Sequence, residues 1–297
     1  LESIICKRIR KKRMSLTYKR LSKRPLIFLR LSGVKLSEFV EICHRLKPLW
    51  EEGVEKKKRR HGRRRCLKTV EDRVLALLMY YRTYITHEFI GYLFGLHNSN
   101  VSRLFKRLEP LMGKKLTIKK DRTLTEEEVL KLLVDVTEQP IQRPKQSKRR
   151  KKTYSGKKKR HTTKVELVLA EAGKILSLSH THPGRKHDFR IRKEERPLYR
   201  DAEKYVDLGY QGLQKRTPHV VLPFRRKKHQ PLTVEQKAHN RQQASFRMKV
   251  EHKIRELKVF KILSETYRNF GKKQHLRFNI MAGIINCLLY TSPSPRD

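Results

Sequence analysis

Acidic residues are scarce in this chain: 29 Asp and Glu stand against 74 Lys and Arg, a formal net charge of +45. Solubility alone does not require that excess. A polyanionic partner is expected, with nucleic acid first, an anionic membrane surface second and a ribosomal-type structural role third. Long apolar runs are also missing. Nothing approaches the roughly 20 residues of a membrane span, and PLIFLRL is short and carries Arg30. No secretory signal is seen, so a cytoplasmic, nucleoid-associated protein is expected. Cysteine is rare. Cys6, Cys43, Cys66 and Cys287 lie far apart with no C-x-x-C, which argues against a zinc site or a disulfide framework and fits a reducing compartment. The single tryptophan, Trp50, is expected in a core.

What remains is 37% hydrophobic residues over 297 positions, enough for one sizeable core and a smaller satellite domain. Residues 1–13 read as upstream translation before Met14, and 288–297 as an adapter-derived tail foreign to the fold. Between them the text divides into 14–66, 67–127 and 128–287.

The segment 14–66 holds one amphipathic helix, 35–49, with Phe39, Ile42, Cys43, Leu46 and Leu49 on one stripe and Ser37 as a candidate cap. EKKKRRHGRRR follows as a linker or DNA-contacting strap. In 67–127, Val70, Val74, Leu77, Leu78 and Tyr81 form one helical face. Phe89, Ile90, Leu93 and Phe94 form a short second one, ended by Gly95. Val101, Leu104, Phe105, Leu108, Leu111 and Met112 form a third. This is the helix-turn-helix layout. The outer positions of the third helix are Asn98, Ser99, Asn100, Ser102, Arg103, Lys106 and Arg107. Small polar groups at its start suit base edges, and the cations beyond suit phosphates. A three-helix bundle with a basic solvated face would show the same pattern.

From 128 the period changes. Strand-like runs cover 129–136, 164–170, 174–179, 204–208 and 219–223, with AEAGK as a hairpin turn between the second and third. The order predicts a mixed five-stranded sheet. Residues 232–287 read as helical again.

Two aspartates close apolar runs. Asp135 follows LKLLV, and Asp207 follows KYV in YVDLGYQG, both at expected strand ends, where ligand sites gather in α/β sheets. Taken singly, each reads equally as a strand-ending or capping residue. In ASFRMKVEHKIRELK, Arg247, Glu251 and Lys258 fall within about 40° of one another on a helix, beside an apolar face of Val250, Ile254 and Leu257. Alone this is a solvated stripe with one i,i+4 ion pair. Together, three carboxylates on a basic scaffold are what divalent-metal phosphoryl chemistry needs, with oxygen ligands for Mg²⁺ and cations for the phosphates. On this reading a metal, not a proton or an arginine, neutralises Asp135.

These residues carry a resemblance. VDVTEQPIQRP, YSGKKKRHTTKVELVL, GRKHDF, DLGYQG, the Arg247–Glu251–Lys258 spacing of three and six intervening residues, and YRNFGKKQHLRFNIMAGIIN stand in order. They resemble the blocks of DDE transposases of bacterial insertion sequences, in the group similar to the insertion-sequence-five family. The similarity covers nearly all of 14–287. It implies an RNase H-like core behind a helical DNA-binding region, an α+β, mixed α/β architecture with helices flanking the sheet. It implies Mg²⁺ (or Mn²⁺), two ions, held by Asp135, Asp207 and Glu251 as the catalytic acids. It implies nicking of element ends and transfer of the 3′-OH to target DNA, by a homodimer in the DNA complex. Arg247 and Lys258 would hold phosphates near the acids. One position departs from the family pattern: Ala244 stands where a tyrosine is usual, which removes a phosphate contact but no metal ligand.

Lys157, Lys158 and His161 in YSGKKKRH are candidate DNA contacts. That stretch reads either as an ordered phosphate-binding turn or as a solvated basic loop. His161 could also be a local cap. Asp188 is expected to cap a helix, with a fourth acid near the site as the sharper option. Two rivals stay open: a DNA-binding regulator that has lost catalysis, and a non-transposing endonuclease of RNase H-like fold.

Overall fold

The computed structural model describes residues 16–55, 67–118, 130–226, 228–269 and 273–291. The basic strap expected after the first long helix lies mostly outside them. The described chain falls into two compact units. One runs to Leu116 and includes Phe260–Ile262; the other takes Thr117–Val259 and continues from Leu263. No described helix is long and apolar enough to cross a membrane.

The first unit is all helix: α1 (Tyr18–Leu21), α2 (Pro25–Ser32), α3 (Leu36–Trp50), α4 (Val70–Thr83), α5 (His87–Phe94) and α6 (Asn98–Leu116). Helix α3 begins one residue later than expected. Its cap is Lys35, whose N–H is taken by the Glu38 carboxylate, so Ser37 lies inside the helix. Helix α4 is buried nearly all round, from Val70 to Tyr81. The unit folds around it, and even Asp72 is used, accepting the Tyr18 N–H at 2.7 Å. Trp50 is buried with the Arg73 guanidinium 4.6 Å from its ring centre. Thr86 caps α5, Gly95 ends it in the left-handed region, and α6 starts three residues on. That is the expected helix-turn-helix. Val101, Phe105, Leu108 and Met112 turn inward, leaving Asn98, Asn100, Arg103, Lys106 and Arg107 exposed.

The second unit is built on a sheet. Its strands are β1 (Lys131–Pro140), β2 (Tyr154–Ser155), β3 (Arg160–Ala170), β4 (Ile175–Leu178), β5 (His182–Pro183), β6 (Glu203–Tyr205) and β7 (Val220–Val221). The order is β2-β3-β1-β6-β7, with β4 and β5 also paired to β3. β1 is antiparallel to β3 and parallel to β6, and β6 is parallel to β7. Helices α7 (Ser147–Thr153), α8 (Asp188–Glu194), α9 (Val234–Lys258) and α10 (Gln274–Thr291) complete the unit. This mixed sheet with flanking helices is consistent with an RNase H-like core. The five expected strands are present. The short β2 and β5 are additions, held by the length of β3.

One boundary differs in a way that matters. β1 does not end at Val136 but runs to Pro140, so Asp135 lies within the strand, opposite Leu167. The polar TEQP looked like an exit from the core. It stays extended because β3 pairs with it as far as Thr162 and because Gln139 is buried, bonded by Gln274 at 2.7 Å.

Two side-chain clamps seat the helices on the sheet. Gln243 of α9 donates to the carbonyls of Val206 (3.1 Å) and Val221 (2.9 Å), just beyond β6 and at the end of β7. Asn286 of α10 both accepts from and donates to the backbone of Ile175 at the start of β4. On the α8 face of the sheet the core includes Leu132, Val134, Val168, Val206 and Tyr210, with Phe189 packed against it.

Candidate active site

The β1–β6 register pairs Leu133 with Tyr205. Asp135 and Asp207 each lie two residues further on, which puts the two carboxylates side by side across neighbouring parallel strands. Asp207 itself follows β6 and opens the 3-10 turn Leu208–Tyr210. Parallel pairing is what makes the meeting possible: both strands arrive from the same direction.

Helix α9 supplies the third element. Arg247 lies one turn beyond the Gln243 clamp. Its Nη1 is 3.3 Å from Asp207 Oδ1 and its Nη2 3.6 Å from Asp135 Oδ2. One guanidinium therefore spans both acids. The sequence reading gave that neutralising role to a metal in place of an arginine; here the arginine stands between the carboxylates. The sequence could not show this, because it depends on where α9 crosses the sheet.

Burial pushes the Asp135 carboxyl above the usual range. Arg247 and the Val136 N–H, which donates to Oδ1 at 2.8 Å, pull it back, while the charges on Asp207 and Asp188 push it further up. Asp188 therefore belongs to the electrostatics of this site. It does not cap α8 as expected; His187 occupies the cap and Asp188 is the first helical residue. The carboxylate accepts from Lys164 Nζ at 2.8 Å, and Lys164 lies 3.8 Å from Glu138. A Cβ at Gly209 would come within 2.8 Å of Asp188 Oδ2, and one at Gly212 within 3.3 Å of the Phe189 ring. So HDF docks on DLGYQG, two motifs that the sequence shows only as separate words. Below them Tyr210 donates to the buried Glu166 at 3.1 Å, and Arg192 of α8 pairs with the same carboxylate.

The remaining candidates are placed less uniformly. Lys258 is half-buried. Burial lowers its pKa, Lys158 lowers it further, and Glu138 and Asp135 oppose that shift. It therefore faces the same region as Asp135. Glu251, one turn beyond Arg247, is exposed and makes no ion pair or hydrogen bond among the described residues. No three carboxylate, histidine or cysteine side chains among those residues converge to hold one ion. Asp135 and Asp207 offer the hard oxygens that Mg²⁺ takes, and the spanning guanidinium marks their shared need for positive charge. Lys157 and Lys158 are exposed in the turn between β2 and β3. His161 is the second residue of β3, and its Nδ1 lies 3.0 Å from Thr153 Oγ1. Asp188 is the fourth acid near the site that the sequence offers as an option, whereas Lys164 and Gln243 are site residues that it does not single out. The only signal for them is the nearness of their motifs to the acid blocks.

Residues 134–289, which include Asp135, Asp207 and Glu251, match the family model described as DDE superfamily endonuclease. The chain belongs to that family. Residues 65–118 match the helix-turn-helix of the DDE superfamily endonuclease, the segment that folds as α4, α5 and α6. Among its relatives, a Microchaete diplosiphon protein named as a transposase for insertion sequence element IS702 is 38% identical over 268 residues, 87% of this chain and 93% of its own. A Streptomyces albus G protein named as a transposase for element IS112 is 26% identical over 200 residues, 66% of this chain and 72% of its own. No solved structure matches the chain. In this DDE-superfamily endonuclease, then, the helical unit and the sheet unit each carry their own family signature.

Proposed function

We propose that this protein is the DNA transposase of an insertion sequence. Its helix-turn-helix recognises the element ends, and its RNase H-like unit cuts the phosphodiester and joins the 3′-OH to target DNA. The observation that carries the reading is the meeting of Asp135, within β1, and Asp207, just after the adjacent parallel β6, under one α9 arginine, in a chain of the DDE superfamily. Asp135, Asp207 and Glu251 are the residues that would hold divalent metal, Mg²⁺ or Mn²⁺. Bound there, two ions would supply an activated water or 3′-OH and stabilise the leaving oxygen.

The chain's own groups do the rest. Arg247 opposes the burial that favours the protonated form of Asp135. Once the acids are engaged, the guanidinium is free to grip a phosphate oxygen, for which its planar fork is suited. Lys258, half-buried beside Asp135, offers a second cation from the same helix. Lys157 and Lys158 extend that charge to the β2–β3 turn. On α6, Asn98, Ser99, Asn100 and Ser102 would read base edges, while Arg103, Lys106 and Arg107 would hold the backbone. The chain would work as a homodimer on paired ends.

The test is Mg²⁺-dependent cleavage and joining of the element's own ends. Asp135→Asn, Asp207→Asn and Glu251→Gln should each bind end DNA and fail to cut it. Variants that cut as well as the parent would sink the three-acid assignment. Cleavage without joining would make the protein a non-transposing endonuclease.

A further inference from the structure

A second charged feature lies on the sheet unit, built from residues that the acid site does not use. Helix α7 reads SKRRKKT, with five consecutive cations, 148–152, and no apolar residue. Only Thr153 at its end is buried. Such a helix gains nothing from an apolar face, and its charges repel one another. It is nonetheless pinned. Thr153 Oγ1 donates to the Arg149 carbonyl (3.0 Å), so it can accept from His161 Nδ1–H, also at 3.0 Å. Arg185 N–H donates to the Lys152 carbonyl at 3.2 Å. Next to it, Gly184 is wedged against β3: a Cβ there would lie 2.0 Å from Thr162 Oγ1 and 2.8 Å from the Thr153 carbonyl. Any side chain at 184 would force α7 off the strand.

The product is a cleft of about 970 Å³ between α7, the β2–β3 turn and the 184–185 loop. Arg143, Arg150, Lys151, Lys159, Arg160 and Arg185 line it, and no carboxylate does. None of the six has an ion-pair partner among the described residues. At the acid site, by contrast, Asp135 and Asp207 face Arg247, and Asp188 pairs with Lys164. Tyr154 also lines the cleft. The residue is 42% exposed and its ring is held edge-to-face against His161, centroids 5.6 Å apart. The volume sits at the upper end of small-molecule pockets, about 300–1,000 Å³, which is room for a few nucleotides.

We propose that this cleft is a single-strand DNA site: its cations track the phosphates and Tyr154 stacks one unpaired base. A positive groove with an aromatic platform is the general solution for binding single strands. The inference rests on DNA being the protein's substrate but not on the three-acid assignment, so its test is run without metal.

The full chain would be titrated, in EDTA, with a single-stranded oligonucleotide of about 16 nucleotides carrying 2-aminopurine, and separately with duplex carrying the element end. Arg150→Ala combined with Arg185→Ala should weaken single-strand binding about tenfold and flatten its log K against log salt by about 1.4, two phosphates' worth. Tyr154→Ala should abolish quenching of the 2-aminopurine, and Tyr154→Phe should retain it. Duplex binding should change less than about twofold, which also shows that the variants fold. The proposal fails if the parent does not bind the single strand, if the variants bind and quench as the parent does, or if duplex affinity falls by the same factor.

Discussion

Gly209 shows how a single residue sets the candidate site. A methyl group there would press on Asp188 Oδ2 at 2.8 Å, and that carboxylate is already held by Lys164. Gly209→Ala should therefore displace Asp188 and, with it, the loop that carries Asp207. We expect cleavage to fall at least about tenfold, with a stability loss of about 1 kcal/mol from the strained Lys164 bond. Adding Asp188→Ala removes the clashing oxygen, so the double variant should lose less than the sum of the two single losses. An additive result in the cleavage assay would mean that the two residues do not meet.

Glu166 gives a second prediction at this scale. Burial pushes its carboxyl up to about 7, against the pull of Arg192 and Tyr210. An acid whose folded pKa lies above its unfolded value of about 4.3 holds its proton more tightly in the native state. Its contribution to stability is thus fully present below the unfolded value and is lost as pH rises towards 7. Glu166→Gln mimics the protonated form. Urea midpoints should show the variant gaining on the parent between pH 5 and pH 7.5. A difference that is constant with pH would refute the shift.

At the scale of elements, α9 matters more for where it crosses than for its composition. It is a 25-residue helix with a Thr233–Gln236 capping box. Its position over the strand ends is set by Gln243, buried and bonded to two carbonyls. Gln243→Ala leaves the Val206 carbonyl without that donor, a cost of about 1–3 kcal/mol, readable as a lower urea midpoint. Arg247 one turn away would lose its register with the two aspartates, so cleavage should fall while end-DNA affinity through α6 holds. Equal loss of both would point to general unfolding instead.

β1 shows the opposite case, an element longer than its own residues suggest. Its polar second half is strand because β3 presents an extended partner through Thr162. No local propensity in TEQP reports that.

For the molecule as a whole, a charge of +45 predicts strong, salt-sensitive binding to any DNA, on which end recognition must be superimposed. Arg103→Ala with Lys106→Ala removes two exposed cations of α6. We expect the log K against log salt slope on duplex ends to become shallower by about 1.8, with the preference for end sequence retained. Loss of sequence preference with an unchanged slope would place these residues on bases instead of phosphates.

Residues read along the chain were enough for a DNA-binding protein with a helical front and a mixed sheet, and they offered Asp135, Asp207 and Glu251 as candidate acids. Those features are written in quantities that add along the chain: net charge, the period of apolar residues, and motifs of a few residues. The helix-turn-helix was legible because Val101, Phe105, Leu108 and Met112 repeat at the helical period and Gly95 stops the preceding helix. It took the folded chain to place Asp135 within a strand, Arg247 across it and Asp207, Asp188 against Gly209, and six cations from separate segments around one cleft with Tyr154. Each is a meeting of residues far apart in the chain. Such meetings depend on strand register and on where a helix crosses a sheet, and neither is encoded within any one segment.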